Sequence, residues 1–179
     1  GSSMVTILAI HGGGIEPATT ELAYTIAHRG DYNYFSFKGM RSEGNNELHV
    51  TSTHYDDQIA LDLVRGSQRT VAIHGCEGNE SVAYIGGSDD RLIELITESL
   101  EDIGISVREA PHHISGTQEN NIVNMTQTQG GVQLELTAQL RKELFKNRKS
   151  SRKNRENKDN WDDLMYDFAD AMKKAIERA

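Results

Sequence analysis

The sequence predicts an α/β protein, a three-layer sandwich with a mixed central sheet. Three observations carry that prediction. Short apolar runs, several closed by glycine, alternate with amphipathic stretches over most of the chain, the pattern of strands alternating with helices. The length, 179 residues, suits one domain with a sizeable core. Two of the apolar runs also end alike. Residues 5–10 pass into His11-Gly12-Gly13-Gly14 and residues 70–73 into His74-Gly75, sharing the tetrapeptide Ala-Ile-His-Gly. Ligands of an open α/β sheet bind beyond the carboxyl ends of its strands, so two strand-end histidines would face one crevice.

In chain order, the first strand covers about residues 4–10, and a Gly-rich loop over 12–18 carries Glu16 and Pro17. Thr19 or Thr20 can cap a helix over about 20–28, with Leu22, Ala23, Ile26 and Ala27 inward. Residues 34–37 read as a strand, 39–46 as a polar loop and 48–51 as a shorter strand. A helix over 56–66 turns Ile59, Ala60, Leu63 and Val64 inward, with Gly66 just past its end. Strands at 70–74 and 82–85 follow, then a helix over 89–103 capped by Ser88, then a strand at 105–108. Residues 111–131 show no periodicity and read as a long loop of the functional or disordered kind. The alternation of residues 132–136 makes a strand with Gln133 and Glu135 on one face, followed by a helix over about 137–146. Residues 146–160 hold Lys, Arg and Asn and no apolar side chain, as a solvated linker does; a basic hook for a polyanion is the alternative. Trp161, Leu164, Met165, Phe168, Met172 and Ile176 mark the buried face of a closing helix. The domain reading is a single catalytic domain over 1–179, with a core over about 4–146, a basic linker over about 147–160 and a C-terminal helix over about 161–178.

The net charge of −8 argues against a nucleic-acid partner, whose footprint is a basic face. It leaves room for an anionic substrate held by local cations. No apolar run approaches the roughly 20 residues that span a bilayer, and no secretory signal is visible. We therefore expect no membrane partner; a monomer is the expectation for the assembly, on which the sequence itself is silent. The single cysteine, Cys76, excludes an internal disulfide and leaves the compartment open, leaning to the cytoplasm.

His11, Glu16 and His74 are the candidate ligands of one divalent metal, zinc first. Catalytic zinc takes three protein ligands and leaves a fourth position for water, and two His with one Glu is a well-used set. The chemistry then needs a carboxylate as general base, and Glu135, on the polar side of its strand, is the candidate. His49, His54, His112 and His113 are further candidates for ligation or substrate contact, with Thr51, Ser52 and Thr53 between the first two. His-Gly-Gly-Gly after a strand is also the oxyanion-hole motif of lipase-like esterases, but the required Gly-x-Ser-x-Gly is missing; Gly86-Gly87-Ser88-Asp89-Asp90 lacks the second glycine. Cys76 is a thiol nucleophile only if its pKa is lowered.

Four stretches together resemble the poly-γ-glutamate hydrolases of Bacillus phages and their bacterial homologues. They are His11-Gly12-Gly13-Gly14-Ile15-Glu16-Pro17, Leu48-His49-Val50-Thr51-Ser52-Thr53-His54, Val71-Ala72-Ile73-His74-Gly75-Cys76 and Gly131-Val132-Gln133-Leu134-Glu135-Leu136. The resemblance runs from the first strand to about residue 145. It implies a zinc-carboxypeptidase-like fold and one zinc ion per chain on His11, Glu16 and His74. It also implies cleavage of the γ-glutamyl amide bonds of the poly-γ-glutamate capsule by metal-activated water, with Glu135 as general base. Substrate contacts fall on His49, Thr51, Ser52, His54, Asn121 and Asn124. Relatives often carry an arginine just after the last of those asparagines; here it is Met125, so Arg41, Lys38 or Arg91 would have to grip a substrate carboxylate. The family usually has residues ahead of the first strand, which makes the start of this chain suspect as that of a fragment; with no signal or membrane span in the sequence, the location stays open between the cytoplasm and release by phage lysis. Two other functions fit the residues: a zinc amidohydrolase of small N-acyl or γ-glutamyl amino acids, and a non-catalytic metal- or polyanion-binding module.

Overall fold

The computed structural model describes residues 4–179. Six strands form one sheet: β1 (Val5–Gly13), β2 (Asn33–Gly39), β3 (Arg69–Cys76), β4 (Ala83–Gly87), β5 (Val107–Glu109) and β6 (Val132–Thr137), in the order β2-β1-β3-β6-β4-β5. β1 runs parallel to β2 and β3, β3 to β6, and β4 to β5, while β4 is antiparallel to β6. The sheet is mixed, as the sequence predicts. Its helices are α1 (Thr19–Gly30), α2 (Gln58–Arg65), α3 (Asp90–Asp102), α4 (Ala138–Glu143), α5 (Arg152–Arg155) and α6 (Asp163–Arg178). No helix among the described residues is long and apolar enough to cross a membrane.

The two faces of the sheet are covered unequally. α1, α3 and α6 lie on one face over the larger apolar cluster, which takes Ile7, Ile73, Leu134 and Leu136 from the strands and Leu22, Leu95, Phe168 and Met172 from the helices. The other face is covered by the short α2 and a 3-10 turn at Ile122–Asn124, over Leu8, Ile10, Ala72, Val64 and Val123. That thin layer leaves the carboxyl ends of β3 and β6 open to the loops.

Local chemistry sets the ends of the elements. The Asp57 carboxylate accepts from the amides of Ile59 and Ala60 to start α2, and Asp89, rather than Ser88, accepts from Leu92 to start α3. α1 has no side-chain cap. Its Ncap residue is Ala18, at φ 84°, while the Thr19 hydroxyl donates to the Glu16 carbonyl and Thr20 bonds Ser36. Ile59 is exposed (67%), because α2 buries Ala60, Leu61 and Val64 instead. The strand expected at 48–51 does not form. A 3-10 turn at Asn45–Leu48 leads into extended backbone outside the sheet, with Val50 exposed, and β2 stays an edge. Residues 111–131 are a pinned loop: Gly87 N–H donates to the Ser115 carbonyl, Ile122 N–H to Ser52 and Gln127 N–H to Ser67. Nor is the basic run an open linker. It folds into a 3-10 turn at Lys146–Arg148, α5 and a second 3-10 turn at Lys158–Asn160, closed by a bridge between Phe145 and Trp161.

The two Ala-Ile-His-Gly strands are used in opposite pleat phase. Leu8 pairs with Ala72, so Ala9 and Ile73 reach the larger cluster while Ile10 and Ala72 reach the smaller one. His74 follows Ala72 onto the thin face by simple alternation. His11 would follow Ala9 onto the α1 face, but the ladder to β2 slips between Ala9↔Ser36 and Gly12↔Lys38, an extra residue in β1. Such a bulge re-aims a side chain. It lets Ile10 fill the thin-face core while His11, next in sequence, turns to the cleft on that same face.

Candidate metal centre and active site

Loop geometry gathers the first candidates. Glu16 N–H donates to the His11 carbonyl at 2.8 Å, folding the Gly-rich loop back on the strand end. The Gly14 amide is tied to the Gly39 carbonyl, and Gly13 takes φ 62°, where a side chain would be strained and a Cβ would meet the Gly39 backbone. The Glu16 carboxylate then lies 3.2 Å from His11 Nδ1 and accepts the Gly75 amide at 3.0 Å. His74 Nδ1 completes a triangle, 3.1 Å from His11 Nδ1 and 3.6 Å from Glu16 Oε1.

These donors fit a zinc ion. Zinc bonds of about 2.0–2.1 Å in a tetrahedron separate ligand atoms by about 3.3 Å, the size of this triangle. His11 Nε2 is 2.6 Å from the Val50 carbonyl, which can only accept, so the proton sits on Nε2 and Nδ1 keeps its lone pair. Two imidazole nitrogens and a carboxylate oxygen in mutual contact call for a cation or a proton between them. His74 Nε2 is buried without a hydrogen-bond partner among the described residues, leaving Nδ1 as its working nitrogen. A wider grouping shares two of the corners: His11, Glu16 and His49 offer ligand atoms all within 4.8 Å. His49 stacks on the His11 ring at 3.8 Å, with its Nε2 3.8 Å from Glu16 Oε2. The tighter set is the closer to tetrahedral spacing, at 3.1–3.6 Å between its donor atoms.

The electrostatics separate the two glutamates. Burial alone would raise the Glu16 carboxyl, but hydrogen bonds and charge from His11 and His74 overcome it and hold Glu16 well below the usual carboxylate range. Burial would lower His74, yet the neighbouring Glu135 and Glu16 raise it. Glu135, opposite His74 in the β3–β6 register, is pushed up to about 7 by burial, which the attraction of His74 only partly offsets. A polar chain steadies it: the Asn121 amide donates to Gln133 Oε1, and Gln133 Nε2 donates to Glu135 Oε1 at 3.2 Å. Cys76 is no activated nucleophile; burial and the nearby Glu135 push its thiol up to about 11.

A cleft of about 540 Å³ opens on this centre, and His11, Glu16, His49, Thr51, Ser52, His54, His74, His112, His113, Asn121 and Glu135 are all on its lining. Two expected contacts are not brought there. Arg41 is exposed, with its guanidinium on Glu47 and the Gly44 carbonyl. Asn124 donates to the Gly116 and Gln118 carbonyls and accepts from the Gly131 amide, so it pins the loop. Lys38 and Arg91 also lie outside the lining. Sequence reasoning missed Arg141. From α4 it donates to the carbonyls of Leu136, Pro17 and Cys76 at 3.0–3.1 Å, joining the backbone beside Glu135, Glu16 and His74. Its one sequence signal is its place in the first turns after the Glu135 strand.

The fold and this centre together define a class: an open mixed α/β sheet with His and Glu donors converging at its strand ends as metal-holding groups do. Within that class the chain belongs to the poly-gamma-glutamate hydrolase family, whose model matches residues 1–171. It is similar to the SPbeta prophage-derived protein YoqZ of Bacillus subtilis (39% identical over 143 residues, covering 79% of this chain and 52% of YoqZ). It is also similar to YndL of the same organism (34% over 145 residues, 80% of this chain and 57% of YndL). The chain thus spans about half the length of these curated relatives. Among solved structures, a bacteriophage poly-gamma-glutamate hydrolase superposes with a TM-score of 0.94 at 32% identity, over 99% of this chain and 84% of that one. A zinc-free form of YndL superposes with a TM-score of 0.90 at 32% identity, over 98% and 85%.

Proposed function

We propose that this protein is a zinc-dependent hydrolase of the γ-glutamyl amide bonds of poly-γ-glutamate. His11, Glu16 and His74 would hold one zinc ion and Glu135 would act as general base. The donor triangle, with the buried Glu135 beside His74, is the observation that carries this reading; the family gives the substrate. Bound there, zinc would lower the pKa of a water molecule towards neutrality and polarise an amide carbonyl.

The chain's own residues do the rest. Glu135, with a pKa near neutral, takes a proton from the attacking water and returns it to the leaving amine. Gln133 and Asn121 keep its carboxylate turned to the cleft. Thr51, Ser52, His54, His112 and His113 offer hydrogen bonds to the substrate's carboxylates and amides across the opening. Glu135→Gln tests the assignment: zinc content is retained and turnover of the polymer falls by about 10³-fold, within the range for a lost general base. Unchanged turnover would remove Glu135 from the role. Chain-length analysis of the digest checks the substrate, since release of small amides alone would exclude polymer cleavage.

A further inference from the structure

The cleft poses a charge problem. A γ-glutamyl polymer carries one carboxylate per residue, yet no lysine or arginine stands among the described residues that line the cleft. The cations are concentrated elsewhere. Residues 146–160 contain seven Lys or Arg and two acidic residues, a net +5 in a chain of net −8.

This run is a folded surface, not a tether. Arg155 is buried, donating to the Ser150 carbonyl at 2.7 Å, with its Nε 3.9 Å from Glu21; the Trp161 indole donates to the Arg155 carbonyl at 2.9 Å. Arg152 donates to the Met40 carbonyl. These anchors lie at the carboxyl end of the sheet. Met40 follows Gly39, the partner of Gly13 at the tip of β1, and Glu21 is in the first turn of α1, just after the Glu16 loop. The run therefore lies at the end of the sheet where the candidate centre opens, packed beside α1 and the tip of β2 rather than on the cleft lining. Within it, Lys146, Arg148, Lys149 and Lys153 are exposed and form no salt bridge among the described residues. Three of the nearby acids are already engaged: Glu156 by Arg152, Glu143 by Ser81 and Gln139, and Asp162 as the cap of α6. Asn147 and Arg148 are both left-handed, at φ 56° and 57°, a backbone that asparagine adopts readily and arginine does not.

We propose that Lys146, Arg148, Lys149 and Lys153 bind a stretch of the polyanionic substrate remote from the bond being cut. The proposal rests on the substrate reading under Proposed function. Exposed cations on flexible stems suit such a role, because they ask for charge rather than a fixed geometry. Holding a distant segment also raises the effective concentration of the rest of the chain at the cleft.

The test is the variant K146Q/R148N/K149Q/K153Q, asparagine being chosen because it tolerates the left-handed backbone. A thermal melt checks folding. Steady-state kinetics on long poly-γ-glutamate and on a short γ-glutamyl oligomer confined to the cleft give the readout. The ratio of the KM for polymer to the KM for oligomer rises about tenfold at low ionic strength, and the rise shrinks towards twofold in 0.5 M salt through screening. An unmoved ratio in a folded variant, with wild-type polymer cleavage intact, overturns the surface alone. Absence of polymer cleavage by the wild-type protein overturns the substrate reading and the surface with it. Single-stranded DNA of matched charge that competes as well as the polymer, while the KM ratio stays flat, marks a nucleic-acid site instead and also overturns the proposal.

Discussion

β1 and β3 carry the same four residues, lie side by side and end at the same edge, yet they present their histidines by different means. β3 is regular through His74, and the imidazole sits where the pleat puts it, with one nitrogen in the centre and the other buried without a partner. β1 is bulged, and His11 is fixed by the Val50 carbonyl on one side and by the His49 ring on the other. One histidine is positioned by the sheet and the other by its loops. A shared tetrapeptide therefore fixes chemistry at both sites but geometry at neither.

Experiments can break or sharpen that contrast. The largest effect is expected from His74→Ala, which weakens metal retention roughly 10³-fold or more by removing a proposed ligand. His49→Phe, which keeps a ring against His11, costs less than about tenfold. Chelator competition measures both, and the reverse ranking would make His49 the third ligand. The two glycines after the histidines come next. A Cβ at Gly12 would strike the Thr20 and Ser36 hydroxyls and the Phe37 carbonyl, so Gly12→Ala should cost about 2–3 kcal/mol in a denaturant melt. At Gly75 a Cβ meets the Arg141 guanidinium, which can yield only by giving up bonds to Leu136, Pro17 and Cys76, so Gly75→Ala should cost about 1–2 kcal/mol. Equal losses at the two positions would erase the distinction.

Arg141→Met removes the joint between the three backbone segments and should lower metal affinity about 10- to 100-fold, as loss of a supporting contact does. A milder loss in Arg141→Lys would point to charge, and an equal one to the three-way fork. Smallest of all is Cys76→Ser, expected to change turnover less than about twofold; a collapse of activity would revive the thiol.

Much of the fold was legible because strands and helices here follow simple periods. The apolar runs at 70–74 and 132–136 became β3 and β6, and the stripe from Trp161 to Ile176 became the buried face of α6. That His11, Glu16 and His74 would meet was legible because His-x4-Glu is a local spacing and the shared tetrapeptide marks both strand ends. What escaped reading depends on neighbours far apart in sequence. Residues 48–51 have strand-like composition, yet they leave the open edge of β2 unpaired, and the Val50 carbonyl goes to His11 instead. Arg41 looks like a free cation until Glu47, six residues on, takes it. Arg141 matters only because Pro17, Cys76 and Leu136 end beside one another. The basic run reads as solvated because its anchors, Met40 and Glu21, come more than a hundred residues earlier.

The slip in β1 also bears on what could be transplanted. Grafted onto a regular parallel sheet in the same register, the two Ala-Ile-His-Gly segments would point their imidazoles out of opposite faces, with the thickness of the backbone between them, and no single ion could join both. The recipe for this centre therefore includes a count as well as a set of side chains: one residue more in one strand than its neighbour can pair.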